Sequence, residues 1–131
     1  MIDRVNAFAL IVQDVRKMAE FYKDKLGFKI EEVSDGFAYL KFGEAAGPGL
    51  ALVSRSGLEK EFAENSNPGF DLSEHGFYFA SFLKNADNEK DDLTNKGVKF
   101  VTKLANRPDG QRYAFFEDPE GNMWEISHFP Q

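Results

Sequence analysis

The sequence predicts an α+β fold made of two βαβββ units. In each half of the chain an apolar, strand-like segment precedes a helical one, and three further strand-like segments follow. A polar capping residue stands before each helix, Asp14 in the first half and Asn85 in the second. A glycine, Gly27 or Gly97, follows each cap at a nearly equal distance, where glycine commonly ends a helix. The repeated order indicates an internal duplication.

Length and spacing suggest how the chain is divided. Its 131 residues lie within the usual size of one domain, so we expect residues 1–131 to form a single domain. The first unit is expected at about residues 3–54 and the second at about residues 76–129. Residues 55–75 join them, and a linker of this length in a compact domain is often a lid or an arm.

The first unit begins with VNAFALIV (residues 5–12), an apolar run typical of a strand covered on both faces. After Asp14 the apolar positions fall on one side of a predicted helix of about three turns. Two strands are expected on either side of Asp35-Gly36, a dipeptide favoured in tight hairpin turns. The small-residue loop GEAAGPG (residues 43–49) then leads to the last strand of the unit, LALVS (residues 50–54).

The second unit begins with the predicted strand GFYFASFL (residues 76–83) and continues into a helix that contains few apolar residues. Turn-forming residues are found in LANRPDG (residues 104–110) and in DPEG (residues 118–121). Three further strands are expected in VKFVTK (residues 98–103), QRYAFFE (residues 111–117) and NMWEISH (residues 122–128).

Composition narrows the class of function. The absence of cysteine excludes disulfides, thiolate metal ligands and cysteine nucleophiles. A net charge of −6, with scattered lysine and arginine, argues against nucleic acid and anionic membranes as partners. No apolar run approaches the roughly 18 residues of a membrane span, and the first residues lack a signal-peptide pattern, so we expect a cytoplasmic location. The expected partner is a small molecule or a second copy of the chain.

Two motifs in this duplicated order resemble those of the vicinal oxygen chelate superfamily, which includes glyoxalase I, extradiol dioxygenases and bleomycin-resistance proteins. The first is V-x-D…FY…LGF, beginning at Val12, and the second is F-x-DP-x-G-x-x-x-E, from Phe116 to Glu125. The resemblance implies the glyoxalase/bleomycin-resistance fold, with one cupped mixed β-sheet and the helices outside. It also implies a ligand or metal inside the cup and a homodimer.

The resemblance further implies four metal-ligand positions, of which this sequence keeps one. They correspond to Ala7, Ala51, Tyr78 and Glu125, and only Glu125 is a strong ligand. One carboxylate cannot replace the water shell of a divalent cation, so we expect no metal and no cofactor. A site rebuilt from Glu125, a histidine and Glu74 stays open as an alternative.

Strand alternation predicts a cup lined by small residues. The strand neighbours of Ala7 and Ala51 on the same face are small or aliphatic, while the opposite faces carry bulky apolar groups. Phe82 shares the cup face with Tyr78, and Met123 shares it with Glu125. His75 and His128 stand an odd number of residues from Tyr78 and Glu125, so both are expected to point away from the cup.

Two arginines flank the Pro-Asp-Gly turn of the second unit. The simplest interpretation of Arg107 and Arg112 is solvated loop charge. However, the Gly-Gln-Arg-Tyr run resembles a segment that often borders the ligand cup in this superfamily, so Arg112 is a candidate site residue.

These observations favour a binding protein of the bleomycin-resistance type. It would sequester an aromatic or cationic antibiotic or metabolite, which Glu125 orients while Tyr78, Phe82 and Met123 supply apolar contact. A metal-dependent lyase, isomerase or dioxygenase of the glyoxalase type is the alternative, and an interaction module without a ligand is a third hypothesis. No catalytic residue is predicted.

Overall fold

Nine strands and three α-helices are found in the residues that the structure describes. The computed structural model describes residues 1–43 and 46–131, so residues 44 and 45 of the predicted loop lie outside the described residues. The strands are β1 (Ala7–Val12), β2 (Lys29–Val33), β3 (Phe37–Lys41), β4 (Gly49–Ser54), β5 (Phe77–Phe82), β6 (Lys99–Phe100), β7 (Ala105–Asn106), β8 (Arg112–Glu117) and β9 (Met123–His128). The helices are α1 (Val15–Leu26), α2 (Arg55–Asn65) and α3 (Ala86–Asn95), with a short 3-10 helix at Leu72–Glu74.

The strands form one mixed sheet that confirms the two βαβββ repeats. Its order is β2-β3-β4-β1-β5-β9-β8-β6, and β7 pairs with β8. The two halves meet where β1 and β5 run antiparallel, with Phe8 opposite Phe79 and Ala9 opposite Tyr78. The first strand of each unit therefore lies at the centre of the sheet, and the order runs outward in the same way on both sides.

The predicted caps begin and end the two repeated helices. The Asp14 side chain accepts a hydrogen bond from the Lys17 backbone N–H at 3.0 Å. At the start of α3, the Asn85 side chain likewise accepts a hydrogen bond from the Asn88 backbone N–H. Gly27 ends α1 in the left-handed conformation, with φ of 80°, where a side chain would be strained. Gly97 has a similar φ of 88° just after α3.

Alternation along the strands divides the sheet into an outer face and an inner face. On the outer face, α1 packs against a buried cluster that includes Leu40 and Leu52, and α3 begins in a second cluster with Ala114 and Ile126. The inner face carries the buried alanines of β1 and β4 together with Tyr78, Phe115 and Met123.

Half of the linker, which the sequence predicts to be a lid or an arm, is the helix α2 on the inner face. Ser54 caps α2, and the buried side chains Leu58 and Phe62 pack into the inner-face cluster. The Asn65 side chain donates to the Tyr113 hydroxyl at 3.1 Å, which ties the end of α2 to the sheet. In the sequence, the apolar pattern of this helix consists of only these two positions at i, i+4 spacing. Charged residues occupy much of the rest, so the helical periodicity is weak.

The predicted strand at residues 98–103 is shorter than expected. The backbone N–H groups of Val101 and Thr102 both point to the carbonyl of Phe115, at 2.9 and 3.4 Å, so regular pairing ends after β6. Thr102 instead bridges to Ser66 from the linker. The predicted turn that follows contains β7, which pairs with the beginning of β8.

No helix in the described ranges is long and apolar enough to cross a membrane.

Candidate functional site

A cavity of about 870 Å³ lies between the inner face and α2. Its walls come from both halves of the chain and from the linker helix. The sheet contributes four alanines, which leave space where larger side chains would fill it, namely Ala7, Ala9, Ala51 and Ala80. The cavity is large enough for a drug-sized organic molecule.

Glu125 lines this cavity from the middle of β9. Its register places it beside Ala80 on β5 and Phe115 on β8, and the residue is 3% exposed. Oε2 of Glu125 lies 2.8 Å from Nη2 of Arg107, which is close enough for an ion pair. No N–H of a described residue is aligned with this buried oxygen as a hydrogen bond, so the contact is electrostatic.

Arg107 is held by several partners at the same place. Its Nε and Nη2 donate to the two carboxylate oxygens of Glu61 on α2 at 2.9 and 3.0 Å, in bidentate geometry. Its Nη1 donates to Oε1 of Gln111 at 2.9 Å. The guanidinium also lies 3.9 Å over the centre of the Tyr113 ring. These contacts fix the guanidinium against Glu125.

The protonation equilibria of these groups follow from burial and charge. Burial raises the pKa of Glu125 above its usual value, although the positive charge of Arg107 opposes this. Burial and the neighbouring Glu125 raise the pKa of Tyr78 well above its usual value, so its phenol stays protonated. Burial alone would lower the pKa of Arg107, but Glu125 and Glu61 outweigh it and raise the pKa.

The structure brings five of the seven predicted site residues to the cavity. These are Ala7, Ala51, Tyr78, Phe82 and Glu125. Met123 lies on the same face but is packed in the core, 1% exposed, and does not line the cavity. Arg112 does not line the cavity either, because its Nε donates to Asp87 of α3 at 2.6 Å.

Arg107 is the cavity residue that the sequence interpretation treated as solvated loop charge. In the β7–β8 hairpin, Asn106 pairs with Arg112, and the Arg107 backbone N–H donates to the Gln111 carbonyl. Since side chains alternate along a strand, Arg107 and Gln111 share the face opposite to Arg112. Counting outward from the Pro-Asp-Gly turn could have identified this face.

The residues at the four metal-ligand positions implied by the resemblance do not fit a metal. Ala7 and Ala51 offer no donor, Tyr78 keeps its proton, and Glu125 already lies against a guanidinium. No three histidine or acidic side chains of the described residues converge as a metal site.

The two histidines are engaged elsewhere. His128 Nδ1 accepts a hydrogen bond from the backbone N–H of Ala86 at 2.9 Å, at the start of the outer helix α3. The ring of His75 stacks on Phe70, with 5.2 Å between ring centres. Neither histidine lines the cavity.

Carboxylates outnumber cations around the cavity. Six acidic residues line it: Glu31, Glu32, Asp35, Glu61, Asp109 and Glu125. Its cationic lining residues are Lys60 and Arg107, and Arg16 pairs with Asp35 from outside at 2.6 Å. The described lining of the cavity therefore contains more acidic than basic side chains.

Comparisons with known proteins agree with this architecture. A family model described as the Glyoxalase/Bleomycin resistance protein/Dioxygenase superfamily matches residues 4–126. The uncharacterised protein YraH of Bacillus subtilis is 32% identical over 120 residues, which cover 89% of this chain and 91% of that protein.

Two solved structures show the same fold. A Legionella pneumophila protein described as an NAD-dependent benzaldehyde dehydrogenase superposes with a TM-score of 0.73 at 17% identity, covering 95% of this chain and 98% of that one. A variant of methylmalonyl-CoA epimerase from Streptomyces coelicolor, in complex with 2-nitronate-propionyl-CoA, has a TM-score of 0.67 at 21% identity. That match covers 98% of this chain and 95% of the epimerase.

Proposed function

Because the chain belongs to the Glyoxalase/Bleomycin resistance protein/Dioxygenase superfamily, we propose that it binds and sequesters a small organic cation with an aromatic part. The binding site is the inner cavity, and binding needs no metal. The observation that carries this proposal is an alanine-lined cavity of about 870 Å³ that contains a buried carboxylate, Glu125.

Glu125 is the group that orients the ligand. It lines the cavity, and its buried Oε2 lies 2.8 Å from Arg107 Nη2 without an aligned hydrogen bond, so the carboxylate has acceptor capacity left for an N–H or O–H of a ligand. Tyr78 lines the same cavity and keeps its phenolic proton, which supplies a donor nearby. A ligand with one cationic donor and one acceptor would satisfy both groups.

Aromatic side chains at the cavity favour a ligand with a flat apolar part. Phe37, Phe82 and Phe129 line the cavity while they are 36%, 53% and 60% exposed, respectively. Such exposed rings offer faces on which an aromatic ligand can stack, and a cation gains further from the ring quadrupoles. The surplus of carboxylates around the cavity attracts the same class of ligand.

The biological setting belongs to the same proposal. A sequestering protein of this kind acts on an antibiotic or metabolite in the cytoplasm. We also expect it to work as a homodimer, and analytical sedimentation would measure the mass of that dimer. The alternative of a metal-dependent lyase, isomerase or dioxygenase gains no support from a cavity in which Arg107 lies against the remaining acidic ligand.

A thermal-shift screen tests the proposal. It compares aromatic cations with matched neutral and anionic compounds in the presence of EDTA. We expect cationic compounds to raise the melting temperature. The Glu125→Gln variant should bind the same compound about ten- to hundredfold more weakly, because a charge-assisted hydrogen bond is lost. Glu117→Gln is the matched control, since Glu117 lies on β8 outside the cavity and pairs with Lys99.

Two outcomes would contradict the proposal. One is that no cationic compound binds while anions do. The other is that Glu125→Gln, correctly folded, binds as tightly as the unmodified protein.

A further inference from the structure

We propose that Arg107 is the resident cation of the inner cavity, which takes the place of a metal between Glu61, Gln111 and Glu125 and holds Glu125 in position. This role makes Arg107 a positioning residue. It deepens the function proposed above by explaining how the cavity works without a metal, and its test needs no organic ligand.

The arrangement of oxygen atoms around Arg107 is the first argument. Two carboxylates and one amide converge on a single guanidinium, with all four nitrogen–oxygen distances between 2.8 and 3.0 Å. These oxygens come from three separate segments, since Glu61 is on α2, Gln111 precedes β8 and Glu125 is on β9. Carboxylate and amide oxygens are also the ligands that hard divalent cations prefer.

The surroundings of the guanidinium are the second argument. The Arg107 side chain is 18% exposed and that of Glu125 is 5% exposed, so water screens this pair poorly. Tyr113 supports one face of the guanidinium, as the 3.9 Å separation shows. Two carboxylates facing one guanidinium leave an excess negative charge, which a single cation cannot fully neutralise.

A comparison within the same hairpin separates this arrangement from an ordinary ion pair. Arg112 also contacts a carboxylate, that of Asp87, at 2.6 Å. However, Asp87 is 42% exposed, and the second partner of Arg112 is the neutral side chain of Asn106. Removing Arg112 therefore leaves one solvated carboxylate, whereas removing Arg107 leaves two that face the same vacant space.

The experiment measures binding of manganese(II) chloride by isothermal titration calorimetry after all proteins are stripped with EDTA. We expect Arg107→Ala to bind about one ion per chain, at least tenfold more tightly than the unmodified protein. Adding Glu125→Gln to Arg107→Ala should abolish this gain. Arg107→Lys, which keeps a cation in place, and Arg112→Ala, the matched control, should show no gain.

Chemical rescue provides the second readout. Methylguanidinium chloride should raise the melting temperature of Arg107→Ala more than that of Arg112→Ala, because only the first variant has a space that fits the lost group. A merely structural arginine would not predict manganese binding that depends on Glu125. The absence of this binding in a folded Arg107→Ala variant would overturn the proposal, whether or not rescue occurs.

If Arg107→Ala does not fold, NMR of the unmodified protein decides. A guanidinium held on three sides should give separate, slowly exchanging Nη resonances, assigned by their loss in Arg107→Lys, unlike those of the exposed Arg4. Averaged signals like those of Arg4 would overturn the proposal. A failure of the ligand screen would leave all these results unchanged, so the two proposals fail separately.

Discussion

At the scale of single residues, the behaviour of the cavity depends on the contact between Glu125 and Arg107. A carboxylate that is 3% exposed is costly to ionise unless a cation lies beside it. The guanidinium 2.8 Å away supplies that cation, yet no aligned hydrogen bond accompanies it. Burial therefore outweighs the charge of Arg107, and the pKa of Glu125 is raised. The proposed binding role of this carboxylate therefore comes at a cost in stability.

This cost predicts a pH dependence of folding. Because the pKa of Glu125 is higher in the folded than in the unfolded state, the folded protein holds its proton more tightly. The stabilisation is complete below the ordinary glutamate pKa and is lost as the pH rises through the raised value. We expect Glu125→Gln to gain stability relative to the unmodified protein as the pH rises from about 4 to 7.

Urea denaturation at several pH values checks this, with Glu117→Gln as the control. A stability difference between Glu125→Gln and the unmodified protein that stays constant over this range would show that the carboxyl pKa is not raised by folding.

Part of the site could be predicted from the sequence by counting residues along the strands. The alanines, Tyr78 and Glu125 were assigned to one face by counting along strands, and the structure places them at the cavity. The role of Arg107 was missed because it depends on a short hairpin, β7–β8, within a segment that looked like a turn. Arg112 is predicted as a site residue from the resemblance alone, and strand alternation places its side chain on the face of the hairpin opposite to Arg107.

At the scale of elements, α2 is a wall of the cavity. Leu58 is 2% exposed and Phe62 is 4% exposed, and the Phe62 ring lies 4.9 Å from that of Phe115, centre to centre. Asn65 and Glu61 add polar contacts to Tyr113 and Arg107. A segment held by both apolar burial and hydrogen bonds is expected to stay in place when the cavity is empty.

Removing one of these contacts should lower the stability of the protein considerably. Phe62→Ala is expected to lower the free energy of unfolding by about 3–5 kcal/mol, because it leaves a space between α2 and the sheet. Chemical denaturation measures this loss. Phe21→Ala is a suitable control, since Phe21 is 49% exposed on α1 and should cost much less. Similar losses in both variants would show that α2 is not packed as described.

The elements that the sequence predicted are those with local signals. Helices α1 and α3 have polar caps and terminal glycines, and the long strands have apolar runs, so each is determined by nearby residues. Helix α2 has only Leu58 and Phe62 as an apolar pattern and gains its stability from tertiary contacts. The early end of β6 likewise depends on pairing with the linker, which no local pattern reveals.

At the scale of the whole molecule, duplication places both units side by side in one sheet. The order of strands predicted the fold class, because each unit repeats the same sequence of elements and their first strands meet at the centre. The linker then covers part of the inner face and leaves the cavity between two halves of a single chain. The proposed function follows from the side chains that line this cavity.

NMR of methyl-labelled alanines tests directly whether the inner cavity binds the ligand without a metal. The protein is titrated with an aromatic cation from the screen in the presence of EDTA. We expect chemical-shift changes in the inner-face methyl groups of Ala7, Ala9, Ala51 and Ala80. The methyl resonances of Ala38 and Ala114 should not shift, because these residues are equally buried but lie on the outer face. Shifts confined to the outer face, or shifts that appear only when a divalent metal is added, would contradict this expectation.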